Sequence, residues 1–244
     1  MTFKEHPIVW DDAKVSRLWN YYSKTPPYSD VYFSKVFGDL ILKRSRLPID
    51  TSLNILDFGC GPGFIWEHIV KLQAKWNYTG IDFSPESVQK TSQKGAGHTQ
   101  FIEAEHITTL PTKYPKEQFD AVLLLEVVEH LTDDYLNGTL NEIGRVIKRG
   151  GVLVISTPNE EDLSKSSKFC PECGAIFHEW QHIRNWSIDT LATKLADHGF
   201  SLEFAETHDF RVRNLFQKLL RLARKLKGGA VNNPHMIAVF RKKL

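Results

Sequence analysis

The sequence predicts an α/β fold, a mostly parallel sheet with helices on both faces, and three observations predict it. From Leu53 onward, short apolar runs at 53–58, 78–81, 119–125 and 151–156 alternate with segments of helical character. One of these runs, Ala121-Val122-Leu123-Leu124-Leu125, is apolar without a polar alternate, as a strand covered on both faces requires. The first run passes directly into a glycine-rich loop and then a helical stretch from Phe64.

Residues 1–50 carry Trp10, Trp19, Tyr21, Tyr22, Tyr28, Tyr32, Phe33 and Phe37 around Pro26-Pro27, and read as an N-terminal cap of short helices. Residues 51–244 read as the main domain. The polar segment 159–186 interrupts its rhythm as an insertion, and Ser187 then suits the N-cap of a helix running to His198 before Gly199. A strand near 201–205 follows. Residues 211–227 hold Arg211, Arg213, Lys218, Arg221, Arg224, Lys225 and Lys227 with Leu215, Leu219, Leu222 and Leu226 at helical spacing, a basic amphipathic helix stopped by Gly228-Gly229. Its leucines fit packing on the domain, and its charge fits peripheral contact with an anionic membrane, with RNA as a third option; all three readings stand. Pro234–Phe240 supplies a last apolar strand.

The most informative stretch is Ile55-Leu56-Asp57-Phe58-Gly59-Cys60-Gly61-Pro62-Gly63. Glycines there allow a sharp turn and close ligand approach, and the helix start beyond them offers free N–H groups to a carboxylate. Tyr78-Thr79-Gly80-Ile81-Asp82 then ends a strand in an acid at the spacing of a group that accepts hydrogen bonds from ribose hydroxyls. On these residues the chain resembles the class I S-adenosylmethionine-dependent methyltransferases. The resemblance implies a Rossmann-like sheet of seven strands, the last antiparallel. It further implies that Asp57, Gly59, Cys60, Gly61 and Gly63 hold the methionine moiety, Asp82 the ribose, and Phe83, Glu105 and His106 the adenine. A nicotinamide dehydrogenase would place its third glycine one residue later.

The run 119–125 leads into Glu126-Val127-Val128-Glu129-His130-Leu131, at the sheet edge where α/β proteins bind ligands. This Glu-x-x-Glu-His resembles two branches of the family, the ubiquinone-pathway O-methyltransferases and the small-RNA 3′-end 2′-O-methyltransferases, in which such residues can hold a divalent ion. The second histidine of the RNA enzymes is Leu131 here. Either Glu126, Glu129 and His130 hold a metal, or Glu126 lies near the cofactor while Glu129 and His130 orient loops or cap the next helix. His130 also suits a general base.

Within the insertion, Cys170-Pro171-Glu172-Cys173 resembles a zinc knuckle, and His178 and His182 complete a candidate tetrahedral zinc set, against the alternative of free thiols in a lid loop. His182 has a competing place, because His182-Ile183-Arg184-Asn185-Trp186-Ser187 resembles the family segment whose histidine faces the acceptor. Catalysis is therefore expected from Glu129, His130 and His182, with Tyr22, Tyr32, Phe33 and Trp180 as candidate walls of the acceptor pocket.

A formal net charge of +2 gives no field that would recruit nucleic acid. The N-terminus lacks a signal-peptide pattern, no apolar run is long enough to span a bilayer, and three cysteines do not make a disulfide framework, so a cytoplasmic protein is expected. The expected activity is O-methylation of a small molecule, whether sugar, lipid-linked or quinone-like. Metal-dependent RNA 2′-O-methylation and a non-catalytic cofactor-binding protein are the alternatives. Nothing in the sequence sets the oligomeric state.

Overall fold

The computed structural model describes residues 4–210 and 233–244; the expected basic helix 211–227 lies outside them. The chain runs β1 (His6–Pro7), α1 (Asp12–Tyr22), α2 (Phe33–Arg44), β2 (Leu53–Phe58), α3 (Phe64–Lys71), β3 (Trp76–Asp82), α4 (Pro85–Gly95), β4 (Phe101–His106), β5 (Phe119–Leu125), α5 (Asp133–Val146) and β6 (Ile147–Pro158). It continues through β7 (Ser167–Phe169), β8 (Ala175–His178), α6 (Ile188–Asp197), β9 (Phe200–His208) and β10 (His235–Lys242). Among the described residues the main sheet has seven strands in the order β4-β3-β2-β5-β6-β10-β9. Strand β10 runs antiparallel to both neighbours, and β2 through β6 pair in parallel.

Two apolar layers cover the sheet. On one face Leu136, Leu140 and Ile143 of α5 and Leu191 and Leu195 of α6 pack over Leu56, Val122, Leu124 and Ile155. On the other, Ile41 and Leu42 of α2 and Ile65, Trp66 and Ile69 of α3 pack over Ile55, Tyr78, Leu123 and Val154. Because strand side chains alternate, the odd and even residues of one apolar run serve opposite layers, which is why Ala121–Leu125 of β5 shows no polar alternate. Helix α6 starts where the sequence places it, with Ser187 accepting from the Thr190 amide in a capping box.

The first fifty residues divide rather than forming one cap. Helix α2 belongs to the layer covering the sheet, since Ile41 and Leu42 are buried in it. Strand β1 pairs with the insertion, and helix α1 packs on the insertion as well as on the main domain, where Asp12 accepts the Tyr135 hydroxyl of α5. In the insertion β7 and β8 form a hairpin, and β1 pairs parallel with β8 to make a three-stranded sheet. The Tyr22 hydroxyl donates to the Glu179 carbonyl at 2.6 Å, Tyr22 stacks on Tyr28 at 4.1 Å, and Trp180 meets both edge-on. Phe33, an expected pocket wall and the first residue of α2, packs with Phe37 and Phe210.

Candidate active site

The glycine loop follows β2, where parallel pairing sets Asp57 beside Gly80 and Leu123 in the sheet centre. The Gly59 and Cys60 amides donate to the Ile81 carbonyl at 2.8 and 3.0 Å, tying the loop to the end of β3. Gly59 has φ +86°, and a Cβ there would lie 2.7 Å from Val127, so glycine is required on both counts. Gly63 caps α3 in the left-handed region, where a Cβ would press on Thr91 at 2.9 Å. From α4 the buried Thr91 hydroxyl donates to the Gly61 carbonyl at 2.7 Å. The Cys60 side chain is buried, its thiol packed against Thr91, Gly80 and the Gly61 carbonyl.

Both loop acids sit in this frame. Asp57 is buried and accepts the Tyr78 hydroxyl at 2.7 Å. Burial outweighs that bond and pushes its carboxyl up to about 7. Asp82 accepts the Gly61 and Ser84 amides, both at 2.8 Å, and burial holds it up at about 6 against those bonds. A carboxylate has about four acceptor positions, so two amides leave capacity for hydroxyls of a ligand. His106 pairs in register with Asp82, and its Nε2 lies 2.9 Å from the Phe83 carbonyl, while the Phe83 ring is 45% exposed. Glu105, expected at the adenine, stands one residue before His106. Alternation turns it away from His106 to the side of Ile81, where Lys113 reaches it at 3.3 Å.

The second cluster forms beyond β5 and β6. Glu126 stands in the left-handed region at φ +55°, its amide donating to the Ser156 carbonyl at 2.9 Å and its carboxylate accepting the Ser156 hydroxyl at 2.7 Å. Burial raises it to about 7. Glu129 is 1% exposed: one oxygen accepts the Thr157 hydroxyl at 2.9 Å, and the other, Oε1, is buried with no hydrogen-bond partner. Burial, then Glu126, drives its carboxyl well above the usual range. His130 Nε2 lies 3.8 Å from that oxygen, and its Nδ1 faces the Gln181 carbonyl at 3.4 Å. Burial, reinforced by His182 and His178, depresses His130 to about 3, which keeps the ring neutral at physiological pH.

His182 arrives from the insertion with its ring 5.0 Å from that of His130. Its Nδ1 is bonded to Glu161, and one ligand atom from each of Glu129, His130 and His182 lies within 4.8 Å of the others. Glu126 is not in this group; its Oε1 accepts the Ser156 hydroxyl. A second group joins Glu161, His178 and His182. Although burial opposes it, contact with His178 and His182 holds Glu161 down at about 2. The aromatic frame comes from α1. Trp19 meets His130 edge-on at 5.1 Å and donates to Gln181 Oε1 at 3.1 Å, and Gln181 donates to the His130 carbonyl at 3.0 Å.

The structure does not assemble the expected zinc set of Cys170, Cys173, His178 and His182. Neither metal-capable group among the described residues contains a cysteine. The thiols sit at the β7–β8 turn, where the Gly174 amide closes on the Cys170 carbonyl at 2.9 Å, and extended β8 then carries His178 away at ~3.3 Å per residue. Sequence reading also missed Tyr78, Thr91, Glu161 and Gln181. The glycine-rich motif gave some warning that a neighbouring strand and helix must brace it, and nothing local marks Glu161 or Gln181.

A family model described as a methyltransferase domain matches residues 32–203, well over half of the chain. The ubiquinone biosynthesis O-methyltransferase of Bradyrhizobium sp. (strain ORS 278) is 35% identical over 112 residues, covering 45% of this chain and 41% of its own length. That of Alkalilimnicola ehrlichii is 28% identical over 167 residues, covering 66% and 62%. The matched part thus spans less than two thirds of these relatives. The solved 1,6-didemethyltoxoflavin-N1-methyltransferase of Burkholderia thailandensis, with bound 1,6-didemethyltoxoflavin and S-adenosylhomocysteine, shares the fold at a TM-score of 0.65 and 14% identity, over 99% of this chain and 94% of its own.

Proposed function

The chain belongs to the class I S-adenosylmethionine-dependent methyltransferases, and on that premise we propose that it methylates a hydroxyl of a small planar acceptor of the quinol or catechol kind. In this reading Asp57 and the loop at Gly59, Gly61 and Gly63 take the methionine end of the cofactor, Asp82 the ribose, and Phe83 and His106 flank the adenine. The observation that carries the acceptor assignment is the buried, unpartnered Oε1 of Glu129 with two imidazoles converging on it. The aromatic groups of α1 and the insertion favour a flat acceptor, and the relatives' O-methyltransferase names support oxygen as the atom methylated.

Methyl transfer breaks the sulfonium–methyl bond as an oxygen–methyl bond forms, with the electron pair returning to sulfur, so the cofactor leaves as a neutral thioether. The acceptor must arrive in line and shed a proton. Once ionised, Oε1 of Glu129 is placed to take that proton, burial making the carboxylate a stronger base than an exposed one. His130 and His182 have their Nδ1 atoms engaged by Gln181 and Glu161, so their Nε2 positions are the ones left to orient the hydroxyl. Glu129, His130 and His182 also fit a divalent cation, as two carboxylate- or carbonyl-backed imidazoles beside a bare buried oxygen would. Such an ion, when held there, supplies a Lewis acid that makes the hydroxyl more acidic.

The test is turnover of S-adenosylmethionine with 3,4-dihydroxybenzoate, followed as S-adenosylhomocysteine with and without chelator and added Mg²⁺, Mn²⁺ or Zn²⁺. Formation of the monomethyl ether is expected. Turnover with amines and none with any aromatic hydroxyl would remove the acceptor assignment.

A further inference from the structure

The β7–β8 insertion holds two groups that the glycine loop and the Glu129 cluster do not account for, Glu161 and His178. His178 is buried at 3% side-chain exposure, and its Nδ1 accepts the backbone amides of Trp180 and His182, both at 3.3 Å. With Nδ1 accepting, the ring proton of neutral His178 must be on Nε2, and that atom faces Glu161 Oε1 at 3.4 Å. The other Glu161 oxygen bonds His182 Nδ1, so the proton there is on Nδ1 and Nε2 is the nitrogen left with a free lone pair, on a ring grouped with Glu129 and His130. The rings of His178 and His182 stack at 4.5 Å and 19°, which lets one carboxylate serve both. Amides of one tight turn thus orient His178, whose ring packs against Glu161 with Nε2 3.4 Å from Oε1, and Glu161 in turn selects the tautomer of His182 through its bond to Nδ1.

We infer that Glu161 is the positioning residue of the acceptor site, fixing His182 as the Nδ1–H tautomer, and that the insertion exists in the site to deliver this carboxylate together with His178. The inference rests on the reading of His182 as an acceptor-site residue. A carboxylate behind an imidazole both fixes the ring and raises its donor strength, and losing such a partner typically costs 10–100-fold in metal affinity or activity. Glu161 touches neither cofactor nor acceptor in this scheme and acts only through His182.

The experiment compares wild type with Glu161→Ala and Glu161→Gln. Long-range ¹H–¹⁵N correlation spectra of the histidine rings are expected to show His182 as Nδ1–H and His178 as Nε2–H in wild type, and loss of the His182 preference in Glu161→Ala. Gln offers one acceptor oxygen for two histidines, so an intermediate spectrum is expected from it. Alongside, Mn²⁺ affinity and kcat should each fall ~10–100-fold while cofactor Kd stays unchanged. An unchanged His182 tautomer in folded Glu161→Ala overturns the inference, and Glu161→Gln serves the same purpose should the alanine variant not fold. Wild type that binds no Mn²⁺ and turns over in chelator removes the cation from the proposed function, and the ring spectra then decide the role of Glu161 on their own.

Discussion

The two halves of the sheet edge are built on different terms. Around the glycine loop, acids and amides satisfy one another: Asp82 spans Gly61 and Ser84, Asp57 holds Tyr78, and Thr91 closes Gly61, with each left-handed residue a glycine. Around His130 the left-handed residues are Glu126, Glu160 and Gln181, and Glu129 Oε1 and His178 Nε2 are buried without a hydrogen bond. Left-handed backbone at non-glycine residues and bare polar atoms each cost free energy, and they persist where surrounding structure imposes them for use. The contrast fits the proposed division of labour, a preformed cradle for the cofactor in the first half and an acceptor site in the second.

The largest test of that contrast is removal of the bare carboxylate. Glu129→Gln and His182→Ala are expected to lower kcat by ~10²–10⁴-fold, the range for a positioned proton-transfer group, with cofactor Kd from calorimetry nearly unchanged. A cofactor Kd that rises as much as kcat falls would merge the two halves into one site. Next in size, Asp82→Ala should weaken cofactor binding by ~10–100-fold, the worth of one or two hydrogen bonds to a charged group, and leave the circular dichroism spectrum as it is. Unaltered affinity there would take the ribose assignment away.

The halves also differ in how far the sequence revealed them. A parallel sheet imposes apolar runs, and a loop wrapped on a ligand imposes glycines, so Asp57, Gly59, Gly61, Gly63 and Asp82 are legible in one linear stretch and its spaced partner. The second half is assembled from α1, the β5 and β6 ends and the insertion, through contacts 51 residues apart for Gln181 and His130 and 162 for Trp19 and Gln181. Such pairings leave no local pattern. Cys170 and Cys173 illustrate the converse, a suggestive motif whose expected partners group instead with Glu161, β8 carrying His178 away from the thiols.

A cradle that buries an acid should be least stable when that acid is charged. Asp57 titrates near 7 in the fold against 3.8 as the ordinary value, so the native state takes up a proton that the unfolded chain does not between those limits. Its contribution to stability therefore falls as pH rises from about 4 to about 7 and stays low above that. Asp57→Asn keeps an acceptor for Tyr78 and removes the charge. The variant should gain about 2 kcal/mol over wild type at pH 8, less at pH 5, in urea titrations without cofactor, while losing cofactor affinity. An advantage of equal size at both pH values would assign it to packing instead of charge.

The smallest effect separates strain that is used from strain that is incidental. Gln73 and Gln181 have nearly the same backbone, φ +53° and +61°. Gln73 is exposed just past the end of α3, where glycine is the usual residue, so Gln73→Gly should raise stability by up to ~1 kcal/mol and leave turnover alone. Gln181→Gly relieves the same conformation but deletes the side chain that bonds Trp19 Nε1 and the His130 carbonyl. Its stability gain should be cancelled by those losses, and kcat should drop several-fold as the His130 plane loosens. Equal behaviour of the two variants in both thermal melts and turnover would mean that the left-handed turn at Gln181 does nothing for the imidazole beside it.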